Sequence, residues 1–216
     1  MNDWTEPMAR WRQAVLAIVA LLVLGRAFAA RAEEPAAEPA PGQLLIASSA
    51  MQDPRFHHSV ILLLRHDATG AFGIVINRPI AEEPIAKLLD EASGNPGTNP
   101  PNKKIEGSVQ VFLGGPVQPE LGFILHSPEY GRPETLHIDD GLAMTASKEA
   151  LRDIGQHKGP KKYLFALGYA GWGAGQLEGE IARRDWFTAP AEPELVFDTE
   201  RGQVWERALA RRTREL

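Results

Sequence analysis

The feature that most constrains this chain of 216 residues is an unbroken apolar run, Ser59-Val60-Ile61-Leu62-Leu63-Leu64-Arg65. It is followed by His66-Asp67-Ala68-Thr69-Gly70 and then by Ala71-Phe72-Gly73-Ile74-Val75-Ile76-Asn77. A strand with one wet face would alternate apolar and polar residues, so a continuous run of strand length indicates burial on both faces. The Asp/Thr/Gly cluster is a turn and the second run is the returning strand, which makes a hairpin. Pro79 stops that strand, because proline lacks the donor a ladder needs.

The remaining segments are read around this hairpin. Leu44–Ala47, Val109–Leu113, Gly122–His126, Tyr163–Tyr169 and Glu194–Phe197 have strand character. Helical spacing is present over Glu83–Ala92 (Ile85, Leu88, Leu89, Ala92), Ser147–Gln156 and near Ala174–Arg183, and Gln203–Leu216 reads as a charged helix anchored by Trp205 and Leu209. Ser93–Gly107, dense in Gly, Pro and Asn, is read as a mobile loop. Short strands joined mainly by turns, with helices interspersed rather than strictly alternating, define an α+β fold with a largely antiparallel sheet.

The N-terminus has a different character. Arg10-Trp11-Arg12 precedes the apolar stretch from Ala14 to Leu24, and Ala27-Phe28-Ala29 and Ala30-Arg31-Ala32 fit the small-x-small pattern of a cleavage site. As a helix, Ala14–Gly25 would span roughly 18 Å at about 1.5 Å per residue, short of the roughly 30 Å hydrocarbon core. Residues 1–32 are therefore read as a signal peptide or N-terminal anchor, with the protein exported or held at the inner membrane. The alternative is a cytoplasmic protein with a mis-assigned start. Residues 33–42, rich in Pro, Ala and Glu, form a linker, 43–205 the folded domain, and 206–216 a charged C-terminal helix or tail.

Charge bears on partners. Setting residues 1–32 aside removes Arg10, Arg12, Arg26 and Arg31 against Asp3 and Glu6, and the formal net charge falls from −5 to −7. Nonspecific nucleic-acid binding draws on a surplus of cations, so an acidic domain argues against it. Membrane contact is expected only through the N-terminal segment. Zero cysteines exclude disulfides, thiolate metal sites and a cysteine nucleophile.

The most tempting motif is Gly168-Tyr169-Ala170-Gly171-Trp172-Gly173-Ala174-Gly175-Gln176-Leu177-Glu178-Gly179. It imitates a dinucleotide fingerprint, but its third glycine is one residue late and Trp172 occupies the turn where a pyrophosphate needs bare backbone. The structural reading is a glycine-rich strand-to-helix turn passing close to the sheet, with Leu177 and Ile181 facing inward. A weaker functional reading gives the helix start a carboxylate or phosphate. The six histidines lack metal-ligand spacing, and His57 and His58, being adjacent, would point to opposite faces of a strand. No serine lies in a nucleophile motif, and Asp139-Asp140-Gly141 reads as a turn. Neither a catalytic residue, a metal ligand nor a cofactor site emerges. The favoured place for a ligand combines Arg78, held extended by Pro79, the Gly114-Gly115-Pro116 turn, and the Gly171-Trp172-Gly173 to Gly175 segment. His126 is included as a further ligand-side residue.

The chain resembles the AlgH/YqgE family of bacterial proteins. The resemblance is carried by Asp53-Pro54-Arg55-Phe56, by Gly73 to Pro79, by Gly114-Gly115-Pro116-Val117, by Gly122-Phe123-Ile124-Leu125-His126, by Asp140-Gly141-Leu142-Ala143, and by Ala166 to Glu178. It implies a bent sheet closing into a pseudo-barrel with flanking helices. It implies little chemistry: some members are described as transcriptional regulators on genetic grounds, and no catalytic residues transfer. The expected function is a non-enzymatic regulatory domain that binds a small ligand or a partner protein. The alternatives are a cytoplasmic transcriptional regulator, and a hydrolase-like enzyme using His126 with Asp140 or His66 with Asp67.

Overall fold

The computed structural model describes residues 39–92, 105–197 and 200–213. The N-terminal segment and most of the Ser93–Gly107 loop lie outside these residues.

The hairpin forms as its sequence demands. Strand β2 (Val60–Asp67) pairs antiparallel with β3 (Gly70–Val75), and β1 (Gln43–Ala47) lies on the other side of β2. Leu44, Ile46, Leu62 and Ile74 enter one core, while Leu45, Ile61, Leu63 and Val75 enter a second on the opposite face. Both faces are covered, as the unbroken run requires. Each Leu or Ile buried this way contributes about 1.5–3 kcal/mol.

The other strands are β4 (Pro79–Pro84), β5 (Ser108–Leu113), β6 (Val117–His126), β7 (Leu136–His137), β8 (Ala143–Thr145), β9 (Tyr163–Gly173) and β10 (Trp186–Pro190). The sheet runs β10-β1-β2-β3-β9-β6-β8-β7, with β5 parallel to β9 and β4 antiparallel to β5. Strand β9 belongs to both halves. Tyr163 to Leu167 pair with β6, and Phe165 to Leu167 also pair with β5, whereas Ala170 to Gly173 pair with β3. The change of neighbours follows Gly168, whose φ is +71°, with Tyr169 still opposite Val117 of β6 before β3 takes over at Ala170. This is a strand turning a corner at a glycine, and it curls the sheet into a half-barrel.

The corner is crowded. The β5–β6 link crosses it at Gly114 and Gly115, where Gly114 N donates to Leu167 O at 2.7 Å. A Cβ on Gly115 would overlap the backbone of Tyr169, and one on Gly168 would lie 2.5 Å from Gly115 O. Glycine is required because two backbones touch there.

The helices are α1 (Ile85–Glu91), α2 (Lys148–Gly155), α3 (Gln176–Ala182), α4 (Pro193–Val196) and α5 (Val204–Ala210). Ser147 caps α2 by accepting from Ala150 N at 3.2 Å. Helices α1 and α2 cover Val109, Val111, Ile124 and Phe165. Leu177 and Ile181 of α3 pack on Trp172 and Trp186. Leu195, Val196, Val204 and Ala208, from α4 and α5, join the principal core, which both halves of the sheet supply. Thr213 N donates to Thr188 O at 2.7 Å and so covers part of the β10 edge.

Three sequence expectations are corrected. The glycine-rich run is strand as far as Gly173, so only Ala174 and Gly175 turn into α3. Glu194–Phe197 is not a strand: Pro193, with its φ fixed near helical values, opens the short helix α4. Pro79 ends no strand but begins β4, where its missing N–H costs nothing at the first position.

Candidate functional site

The motif Ile76-Asn77-Arg78-Pro79 carries the chain from β3 to β4, and its two polar side chains hold the loop between β1 and β2. Asn77 Nδ2 donates to His58 O at 2.9 Å while its Oδ1 accepts from Val60 N at 2.9 Å. Arg78 Nη2 donates to His57 O at 2.7 Å, and Arg78 Nη1 donates to Arg55 O. Three carbonyls of one loop are thus fixed from a single dipeptide. The loop adds its own brace, because Asp53 accepts from Arg55 N at 2.9 Å and from Arg55 Nη2 at 2.6 Å. That pairing draws the Asp53 carboxyl below its usual range.

Arg78 and Arg55 line a hollow of about 90 Å³ whose remaining walls are Val75, Leu113, Gly115 and Pro116. Its floor is built by strand ends meeting at the sheet corner: Val75 N donates to Gly114 O at 2.8 Å and Leu113 N to Arg78 O at 2.9 Å. Burial pushes the Arg78 guanidinium pKa down, and the Asp53 charge opposes this. An arginine keeps its proton regardless. The result is a half-buried cation, bonded to neutral carbonyls, on a residue that borders a hollow walled by Val75, Leu113 and Pro116.

Of the residues singled out from sequence, Arg78 and Gly115 line this hollow, and Gly114 lies immediately before Gly115 in the crossing. Trp172 does not line it. It sits across β3 from there, opposite Ala71, with Gly171 opposite Phe72 and Gly173 opposite Gly70. The indole packs beside Trp186 in the second core. Gly175, with φ +73°, precedes α3, and Gln176 Oε1 already accepts from Gly173 N at 3.1 Å. His126 is fully buried in β6, where Nε2 meets Thr145 Oγ1 at 2.9 Å and Nδ1 meets Ser127 O at 2.9 Å. Desolvation lowers its pKa. Its hydrogen-bond partners do not include Asp140. His66 meets Glu178 Oε1 at 2.8 Å and Pro39 O at 2.7 Å rather than Asp67, which accepts from Thr69. Among the described residues no group of three or more His, Asp or Glu is arranged to hold a metal.

Sequence reasoning missed Arg55, Val75 and Leu113 as wall residues. The spacing of Asp53 and Arg55 around Pro54 was a usable signal for a braced turn; the aliphatic walls carried none. It also misplaced His57 and His58. They occupy a turn rather than a strand, His58 has φ +56°, and their rings stack with centroids 4.1 Å apart. His58 stacks in turn on Trp205 at 4.1 Å.

The structure defines a half-barrel α+β domain with a small, largely apolar hollow bordered by Arg55 and Arg78 beside its sheet corner. The chain belongs to the AlgH-like family, whose match covers residues 44–216. A UPF0301 protein of Jannaschia sp. is 46% identical over 170 residues, covering 78% of this chain and 85% of that protein. Another from Methylobacterium nodulans is 44% identical over 181 residues, covering 82% and 85%. The solution structure of the AlgH protein from Pseudomonas aeruginosa is similar with a TM-score of 0.66 and 37% identity, over 79% of this chain and 87% of that one. A crystal structure of a Corynebacterium diphtheriae protein, with a TM-score of 0.60 and 24% identity over 86% and 95%, shares the fold.

Proposed function

We propose that this domain is a non-catalytic binding module whose ligand is a small anion seated in the hollow at Arg78. The observation that carries the reading is the half-buried guanidinium itself, anchored by carbonyls at a residue that borders the hollow. A desolvated cation gains from a carboxylate or phosphate more than an exposed one does, because the surrounding dielectric is lower. The nearest carboxylate, Asp53, is engaged by Arg55, which leaves the locus with a positive balance on an otherwise acidic protein. The hydrolase alternative draws no support from His126, whose ring nitrogens are both engaged in the core. Thermal unfolding of the full-length chain with increasing inorganic phosphate tests the proposal. The midpoint is expected to rise with phosphate and to stay constant in Arg78→Gln; equal shifts in both proteins would refute it.

We further propose that the domain works outside the cytoplasm, as a sensor read by a partner protein, because residues 1–38 carry a basic start, an apolar run and small-x-small sites. Among the described residues no helix is long and apolar enough to cross a membrane. N-terminal sequencing of the mature protein should give a start at Ala30 or Glu33. An intact N-terminus in the cytosol would restore the regulator alternative.

A further inference from the structure

The hollow and a stack of three rings are joined through Arg78. Trp205 donates to Ala47 O at 2.8 Å and so is fixed to the end of β1. His58 lies on it and His57 on His58. Both imidazoles are exposed, so burial of apolar surface does not account for holding them in line. His58 also keeps a left-handed backbone, uncommon for a residue with a side chain, and such conformations cluster at ligand sites. One face of His57 is taken by His58, which leaves the other as the end of a rigid stack. Arg78 connects this platform to the hollow, since it lines the hollow and its guanidinium bonds to His57 O.

The two features together set the ligand. A hollow of about 90 Å³ admits a carboxylate or phosphate, and the ring stack offers a flat face to a ring attached to it. We infer that the ligand is a planar heteroaromatic group carrying an anionic substituent, of the nucleoside monophosphate class. The anion sits against Arg78, and the ring lies outside the hollow on the open face of His57. The inference rests on the anion-binding reading above. It does not conflict with the acidic net charge, which disfavours a polymer of phosphates but not one phosphate group at a local positive charge.

The experiment titrates the full-length chain at neutral pH by calorimetry with inorganic phosphate, ribose 5-phosphate and adenosine 5′-monophosphate. Adenosine monophosphate is expected to bind at least about tenfold more tightly than ribose 5-phosphate, within the range for a base on an aromatic side chain. His57→Ala should bring the two within about twofold, and His57→Phe should restore the preference. A measurement without variants covers a misfolded mutant: saturation with adenosine monophosphate should move the His57 imidazole protons upfield and leave those of His137 in place. If ribose 5-phosphate and adenosine monophosphate bind equally, or the preference survives in His57→Ala, the ring inference is overturned and the anion site stands. If no phosphate compound binds, both readings fall.

Discussion

Arg78 reaches back 21 positions to donate to His57 O at 2.7 Å, and this one bond joins the cation of the hollow to the loop that carries the ring stack. Removing the guanidinium therefore has two effects. Arg78→Gln is expected to lose the anion response and to lower stability by about 1–2 kcal/mol, the scale for a charged donor on partly exposed carbonyls. Arg78→Lys keeps the charge but not the fork that spans two carbonyls, and should retain part of the anion response with weaker binding. Urea unfolding with and without phosphate measures both.

Glu180 offers a purely structural prediction. Trp172 Nε1 and Trp186 Nε1 both donate to Glu180 Oε2, at 2.8 and 2.7 Å, and the same oxygen thereby ties α3 to β9 and β10. Glu180→Ala leaves two indole donors unsatisfied in the second core. It should cost about 2–4 kcal/mol, visible as a lower urea midpoint and altered near-ultraviolet dichroism of the tryptophans, with the anion response intact.

The pH dependence follows from His126. Burial lowers its folded pKa beneath its ordinary value of 6.5, so the unfolded chain takes up a proton before the folded one does. Stability from this group is complete above about pH 6.5 and declines as pH falls through the folded value. In His126→Gln, stability plotted between pH 7 and 5 should fall less steeply, by up to one proton. An unchanged slope would show that His126 is not buried neutral.

Glycines at the corner separate backbone crossing from mere flexibility. Gly115→Ala forces a Cβ into Tyr169, whereas an added Cβ at Gly131 meets nothing within 4 Å. The first should abolish folding or cost upwards of about 3 kcal/mol, as overpacking against immovable backbone does. The second should fall within about 0.5 kcal/mol of the parent. Circular dichroism melts decide between them.

Legibility varied with what each segment buries. Val60 to Leu64 announced a two-sided strand because every residue is covered. Strand β4 escaped because an edge strand with Glu82, Glu83 and two prolines buries little and carries no alternation. The far half of β9 was hidden for another reason: its pairing with β3 and the approach of Gly168 to Gly115 are tertiary, and no local pattern records them. Leu195-Val196-Phe197 looked like a strand until the helical start imposed by Pro193 outweighed it. Arg78 and the Gly114-Gly115-Pro116 turn, placed together from the sequence, do border one hollow. Its other walls were not legible, since Val75, Leu113 and Arg55 come together only through sheet topology, and the same topology carries Trp172 away from it.

Titration of isotope-labelled full-length chain with inorganic phosphate, followed by nuclear magnetic resonance, tests the central claim most directly. The account predicts saturable shifts of the Arg78 Nε–Hε resonance and of the Leu113 and Gly115 amides, all with one dissociation constant and all absent in Arg78→Gln. Shifts that fail to saturate, or that appear elsewhere while these three resonances stay in place, would contradict it.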